Sequence, residues 1–206
     1  MLWSEALEYA AVLFGVLYVA LIARENLLGW PAGLIGALCS IVVLFTARLY
    51  LDAALYAFYA VLTAYGWFHW VCPKAPGPTD DAVGRRAADH SRVRHISRRS
   101  ALGLLALGAA STFGLGWVTS SYTDADVPYW DAWTSCYSVI GTFMQAHKLF
   151  ENWMLWIVVN SVYIGLYWYK GLSAFSVVSL LYVGLAVYGH IQWREKLTHE
   201  AQGIPT

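Results

Sequence analysis

Apolar residues along this chain gather into seven long blocks whose ends are marked by charge. The blocks lie near residues 6–23, 28–47, 52–71, 100–120, 131–148, 153–169 and 172–193. A helix needs roughly 20 largely apolar residues to cross a bilayer, so each block is a candidate membrane helix. Acids crowd the starts of the first and fifth. Between the third and fourth runs "PKAPGPTDDAVGRRAADHSRVRHISRRS", rich in proline, charge and small residues. Such a stretch does not enter hydrocarbon and is expected to be a flexible loop. The pattern predicts an all-α integral membrane protein with seven transmembrane helices.

Composition agrees. Of 206 residues, 59% are hydrophobic and only 13% charged, and the mean hydropathy is +0.50. A soluble domain carries about 25% charged residues. The stretch from Met1 to Glu8 holds two acids and no Lys or Arg. It lacks the basic start of a cleavable signal, so the first helix is expected to stay. Cys39, Cys72 and Cys136 are odd in number and far apart, with no metal-ligand spacing. They read as apolar fillers rather than a disulfide or zinc framework.

The basic residues set an orientation. With seven spans, one side collects Arg24, then Lys74, Arg85, Arg86, Arg92, Arg94, Arg98 and Arg99, then Lys148, Arg194 and Lys196. The other side holds only Arg48 and Lys170. Cytoplasmic loops carry the excess of Lys and Arg, which predicts an outer amino terminus and a cytoplasmic carboxyl terminus. The basic loop thereby reads as a topology signal and not as a nucleic-acid surface.

Comparing the chain with itself suggests a repeat of residues 9–70 in residues 135–193. Gly15 pairs with Gly141, Glu25-Asn26 with Glu151-Asn152, and Trp30 with Trp156, at an offset of 126. After a three-residue deletion, Tyr59 pairs with Tyr182, Tyr65-Gly66 with Tyr188-Gly189, and Trp70 with Trp193, at 123. Each unit holds three spans, and the helix at 100–120 turns the second unit back to the orientation of the first. The expected organisation is a 3+1+3 parallel repeat, as in the SWEET transporters. Its parts are a first three-helix repeat (1–71), a basic cytoplasmic loop (72–99), a linking helix (100–120), a second three-helix repeat (131–193) and a cytoplasmic tail (194–206). Substrate sites in such folds lie near the midplane between repeats.

Candidate site residues follow from helical periodicity. Trp153, Trp156, Asn160, Tyr163 and Tyr167 recur at steps of 3, 4, 3 and 4, which is one face of the sixth helix. Tyr56, Tyr59, Thr63 and Trp67 do the same on the third, and Thr142 on the fifth joins them as a candidate. Asn160 and Tyr59 each lie roughly 12 Å in from the surface at which their helix starts. Two aromatic faces with a few hydrogen-bonding groups are thereby expected to meet near the bilayer centre. The bland alternative is that Asn160 hydrogen-bonds a neighbouring helix, a common role for a buried amide in a membrane. Trp3, Trp70, Trp130 and Trp193 read as interfacial belt residues, a role Trp30 and Trp153 could share.

Absences narrow the function. No Asp, Glu, Lys or Arg lies near the middle of a span, which disfavours ion-coupled transport. There is no GxxxxGK[ST], GxSxG or HExxH motif, and no central lysine in the last helix for a retinal Schiff base. No cofactor or metal is expected, and an intramembrane enzyme or a sensor subunit is the weaker class.

At "ARLY", "YGWFHW", "PYWDAW", "ENWMLWIVVN" and "YKGL" the chain resembles the PnuC family of bacterial vitamin transporters. The resemblance covers both repeats and leaves out the basic loop and fourth helix. It implies a SWEET-like fold, a homotrimer in the bacterial inner membrane, and facilitated diffusion of a small aromatic vitamin. Nicotinamide riboside is the leading substrate and thiamine the alternative, with riboflavin carried by other relatives. Uptake would be completed by a cytoplasmic vitamin kinase that traps the substrate by phosphorylation. One departure bears on substrate: nicotinamide riboside carriers of the family commonly have Gln where this chain has Tyr56.

Overall fold

A computed structural model of the chain describes residues 2–46, 50–71, 92–171 and 173–201. Arg48, Cys72 and most of the basic loop (72–91) lie outside the described residues, as does the side chain of Trp3. Among the described residues there are seven helices: α1 (Leu2–Ala23), α2 (Gly29–Thr46), α3 (Tyr50–Val71), α4 (Arg98–Tyr122), α5 (Pro128–Ala146), α6 (Asn152–Tyr169) and α7 (Ser173–Ala201). No named strand occurs among the described residues; Arg94 and Leu149 form an isolated bridge.

Four of these helices are both long and apolar enough to cross a membrane, through Ala6–Ala23, Gly29–Thr46, Arg98–Tyr122 and Phe175–His199. The remaining three, α3, α5 and α6, carry Thr63, Gln145, Asn160 and several tyrosines on buried or half-buried faces. Those groups lower the mean hydropathy of a helix without exposing polarity to lipid. The last helix runs eight residues past the apolar block expected at 172–193. Arg194 through His199 include good helix formers, and no Gly or Pro intervenes before Gly203.

The helices close a ring. α1 packs on α2, α2 on α3, α3 on α5, α5 on α6, α6 on α7, and α7 returns to α1. α4 packs on α5, outside that ring. Its amino end is capped by Ser97, whose hydroxyl accepts from the Ser100 N–H at 3.1 Å.

The turns after α1 and α5 share one geometry. Glu25 N–H donates to Ile22 O and Asn26 N–H to Leu21 O, both at 2.9 Å. Lys148 N–H donates to Gln145 O and Leu149 N–H to Met144 O, both at 3.0 Å. Each is a Schellman end, whose left-handed residue is Glu25 (φ 52°) in one turn and Lys148 (φ 53°) in the other. These residues are 123 apart, as are Trp30 and Trp153, Gly66 and Gly189, and Trp70 and Trp193. The pairing of Glu25-Asn26 with Glu151-Asn152 and of Trp30 with Trp156, at 126, does not hold in this local geometry. Identical letters misled there, because the two left-handed positions carry chemically opposite side chains.

Above these turns sits a plug of indoles. Trp30 meets Trp70 edge-on at 5.3 Å and 81°, and Trp153 meets Trp193 at 5.4 Å and 89°. Trp30, Trp153 and Trp193 are buried, in one cluster with Ile22, Ala23 and Ala146. The belt reading of Trp70 and Trp193 is therefore corrected: Trp193 is 1% exposed, and the Trp70 N–H donates to Ala146 O at 2.9 Å. Gly66 and Gly189 make the plug possible. A Cβ at either would lie 2.2 Å from the Trp30 ring or 2.6 Å from the Trp153 ring. Trp130, by contrast, is exposed.

Candidate functional site

The ring of six helices encloses a cavity of about 380 Å³, above the indole plug. That volume falls within the range of small-molecule sites, roughly 300–1,000 Å³. Eight of the nine expected residues line it: Tyr56, Tyr59, Thr63, Thr142, Trp153, Trp156, Asn160 and Tyr163. Tyr167 lines it too. Trp67 is not among the lining residues and is more than one-third exposed. It lies one turn beyond Thr63, and its ring stacks on exposed Phe68 at 6.2 Å.

The polar groups of the cavity are held by local bonds. Thr63 Oγ1 donates to Tyr59 O at 2.7 Å and Thr142 Oγ1 to Ser138 O at 3.0 Å. Asn160 Nδ2 donates to Trp156 O at 2.8 Å, one turn back on its own helix. Its amide nitrogen is therefore bonded within α6 itself. Trp156 is seated over Gly141, where a Cβ would lie 3.1 Å from the indole. Its N–H donates to Gln145 Oε1 at 3.2 Å.

Gln145 was not expected. It sits in "FMQAHK" near the end of α5, where a polar residue reads as interfacial, yet it is 1% exposed and lines the cavity. Its Nε2 is buried without a hydrogen-bond partner. Tyr18, Ser40, Ser179 and Tyr182 also line the space. Its place three residues after Thr142, on the same helix face, is the signal that finds Gln145.

The two long walls differ. α6 presents Trp156, Asn160 and Tyr163, whereas α2 presents Gly33, Ala37 and Ser40, each 123 residues earlier. Tyr163 and Tyr167 lie parallel at 5.4 Å, and Tyr56 meets Tyr59 edge-on at 5.8 Å. One wall is small and the other aromatic, an arrangement that admits a flat ring and stacks it. Among the described residues, no Asp, Glu, Lys or Arg lines the cavity and no cluster of metal-ligating side chains occurs.

The chain is similar to known proteins over most of its length. The family described as nicotinamide mononucleotide transporter matches residues 5–195. The nicotinamide riboside transporter PnuC of Escherichia coli (strain K12) is 22% identical over 215 residues, covering 93% of this chain and 84% of that protein. The riboflavin/roseoflavin transporter RibM of Streptomyces davaonensis is 25% identical over 199 residues, with the same two coverages. A crystal structure of the vitamin B3 transporter PnuC superposes with a TM-score of 0.71 at 22% identity. It covers 95% of this chain and 83% of its own. That likeness is one of fold.

Proposed function

The chain belongs to the nicotinamide mononucleotide transporter family, and from that membership we propose that it is a membrane facilitator for nicotinamide riboside. The observation that carries the proposal is the cavity itself: aromatic on one wall, small on the other, and lined by no ionised side chain. A flat aromatic cation is stabilised there by cation–π attraction, about 0.5–2 kcal/mol per good contact. Trp156 stacks on the ring, and Asn160 and Gln145 hydrogen-bond its polar edge or hydroxyls. The lack of a carboxylate among the described lining residues supports diffusion down a gradient without ion coupling. Phosphorylation by a cytoplasmic vitamin kinase then traps the product and completes net uptake.

The same reading carries the architecture further. The ring order and the matched turns at a spacing of 123 support seven spans as a SWEET-like 3+1+3 parallel repeat. The excess of basic residues supports a cytoplasmic location for the Glu25 and Lys148 turns, in an inner-membrane protein with its amino terminus outside. We extend the homotrimer of the family resemblance to this chain. A transport role leaves no catalytic step to assign.

Riboflavin is the second reading, because RibM is among the relatives and Tyr56 stands where an amide is common in nicotinamide riboside carriers. None of the relatives named above carries thiamine in its name. Calorimetric titration of the purified protein with nicotinamide riboside, riboflavin and thiamine separates these. Tightest binding of nicotinamide riboside supports the proposal, and binding of none of the three overturns it.

A further inference from the structure

Several polar contacts between the α1–α3 half and the α5–α7 half gather at the end of the molecule below the indole plug. Glu25, on the turn after α1, meets Lys148 Nζ at 2.7 Å and Lys196 Nζ at 2.6 Å. Both lysines belong to the other half. Lys148 also lies 4.4 Å above the Trp70 ring, and Trp70 donates to Ala146 O. Arg24 Nε donates to the Tyr188 hydroxyl at 3.0 Å. At the opposite end, the pair Lys170–Asp131 joins α6 to α5 at 3.0 Å and stays within one half.

The Glu25–Lys148 pair is well shielded, with side-chain exposures of 10% and 13%. Its backbone setting is informative. Both residues occupy the left-handed position of a Schellman end, which favours glycine and which few charged residues adopt. Both side chains stand where glycine would relieve the backbone, and they bind each other.

Above this contact the plug holds three indole N–H groups, of Trp30, Trp153 and Trp193, buried without hydrogen-bond partners. A close-packed layer with unpaired donors gains hydrogen bonds when it parts and water enters. The cavity lies directly above it, with Trp153 shared between plug and lining. Passage toward this end requires the two halves to separate here.

We infer that Glu25 is the latch of a gate at this end, holding the two halves together through Lys148 and Lys196 over the paired indoles Trp30–Trp70 and Trp153–Trp193. The inference rests on the transport reading above. The gate parts when these ion pairs break, and α4 moves with the second half. The strap that leads into α4 is bound to that half: Phe150 N–H donates to Arg94 O at 2.9 Å, and Glu151 accepts from Ile96 N–H at 2.9 Å.

The test uses Ala186→Cys, a buried cavity position beside Trp153, in a full-length chain with Cys39, Cys72 and Cys136 replaced by serine. A membrane-impermeant maleimide is added from the face that carries Glu25, with Glu195→Cys marking that face. Labelling is slow in the parent. Glu25→Gln and Glu25→Gly raise its rate at least ~10-fold, a shift in open population of that size. Adding Lys196→Gln to Glu25→Gln brings no further increase, because Lys196 has already lost its partner Glu25. Glu25→Gly also relieves the left-handed backbone, so it keeps a readable, folded form of the chain. Parent-like labelling in both Glu25 variants overturns the latch, and so does a further rise in the double variant. Calorimetry with nicotinamide riboside on the same samples shows whether the transport reading stands when the latch does not.

Discussion

The Trp156 indole N–H donates to Gln145 Oε1 at 3.2 Å, and this leaves the Gln145 amide nitrogen buried at the cavity wall with no hydrogen-bond partner. One amide thereby does two things: it fixes the plane of the ring that forms the aromatic wall, and it holds a donor ready for an incoming acceptor. Gln145→Leu removes both. Nicotinamide riboside should bind more weakly by roughly 1–3 kcal/mol, the cost of leaving buried polar groups unpaired. An unchanged Kd by calorimetry would show that the donor meets no ligand.

Asn160 and Trp156 make a second pair to test. The Asn160 donor bonds its own helix at Trp156 O, so its loss breaks no contact between helices. Asn160→Leu should weaken nicotinamide riboside binding by roughly 1–3 kcal/mol while the Tm moves little. Trp156→Ala should weaken it comparably through lost stacking. A fall in Tm with affinity spared in Asn160→Leu would make the amide structural.

The glycines separate packing from binding. At Gly66 and Gly189 a Cβ would lie 2.2 Å from Trp30 and 2.6 Å from Trp153, while at Gly103 and Gly184 it would meet nothing within 4 Å. Gly66→Ala and Gly189→Ala should each destabilise the protein by about 1–3 kcal/mol, as overpacking does. Gly103→Ala and Gly184→Ala should leave the Tm equal or slightly higher, because alanine is the better helix former by roughly 0.5–1 kcal/mol. Thermal melts of the four variants check this, and equal losses at all four would contradict the packing account.

What was legible in the sequence divides along physical lines. Charges mark where a helix leaves the apolar phase, so all seven helices could be placed to within a few residues, the end of α7 excepted. Period 3.6 marks a face, so Trp153, Trp156, Asn160, Tyr163 and Tyr167 could be grouped before any contact was known. Depth was harder. An aromatic near a helix end suits both a headgroup layer and a buried plug. Trp70 and Trp193 turned out to be plug residues, and the small residue four positions before each, Gly66 and Gly189, is what makes room for the partner indole. Gln145 was missed for the same reason, being polar and near a helix end yet fully enclosed. The register of the two turns was obscured because Glu25 and Lys148 share a backbone conformation and nothing else.

Transport itself is the central claim, and uptake into liposomes tests it most directly. With purified protein and no kinase inside, nicotinamide riboside should enter and stop at equal concentrations on the two sides. The initial rate should not change when proton or sodium gradients are collapsed, since no ionised side chain is among the described lining residues. Enclosing a vitamin kinase and ATP should carry total uptake past that plateau. Accumulation above the external concentration in liposomes without kinase, driven by either gradient, would contradict the account, and so would failure of the vitamin to enter at all.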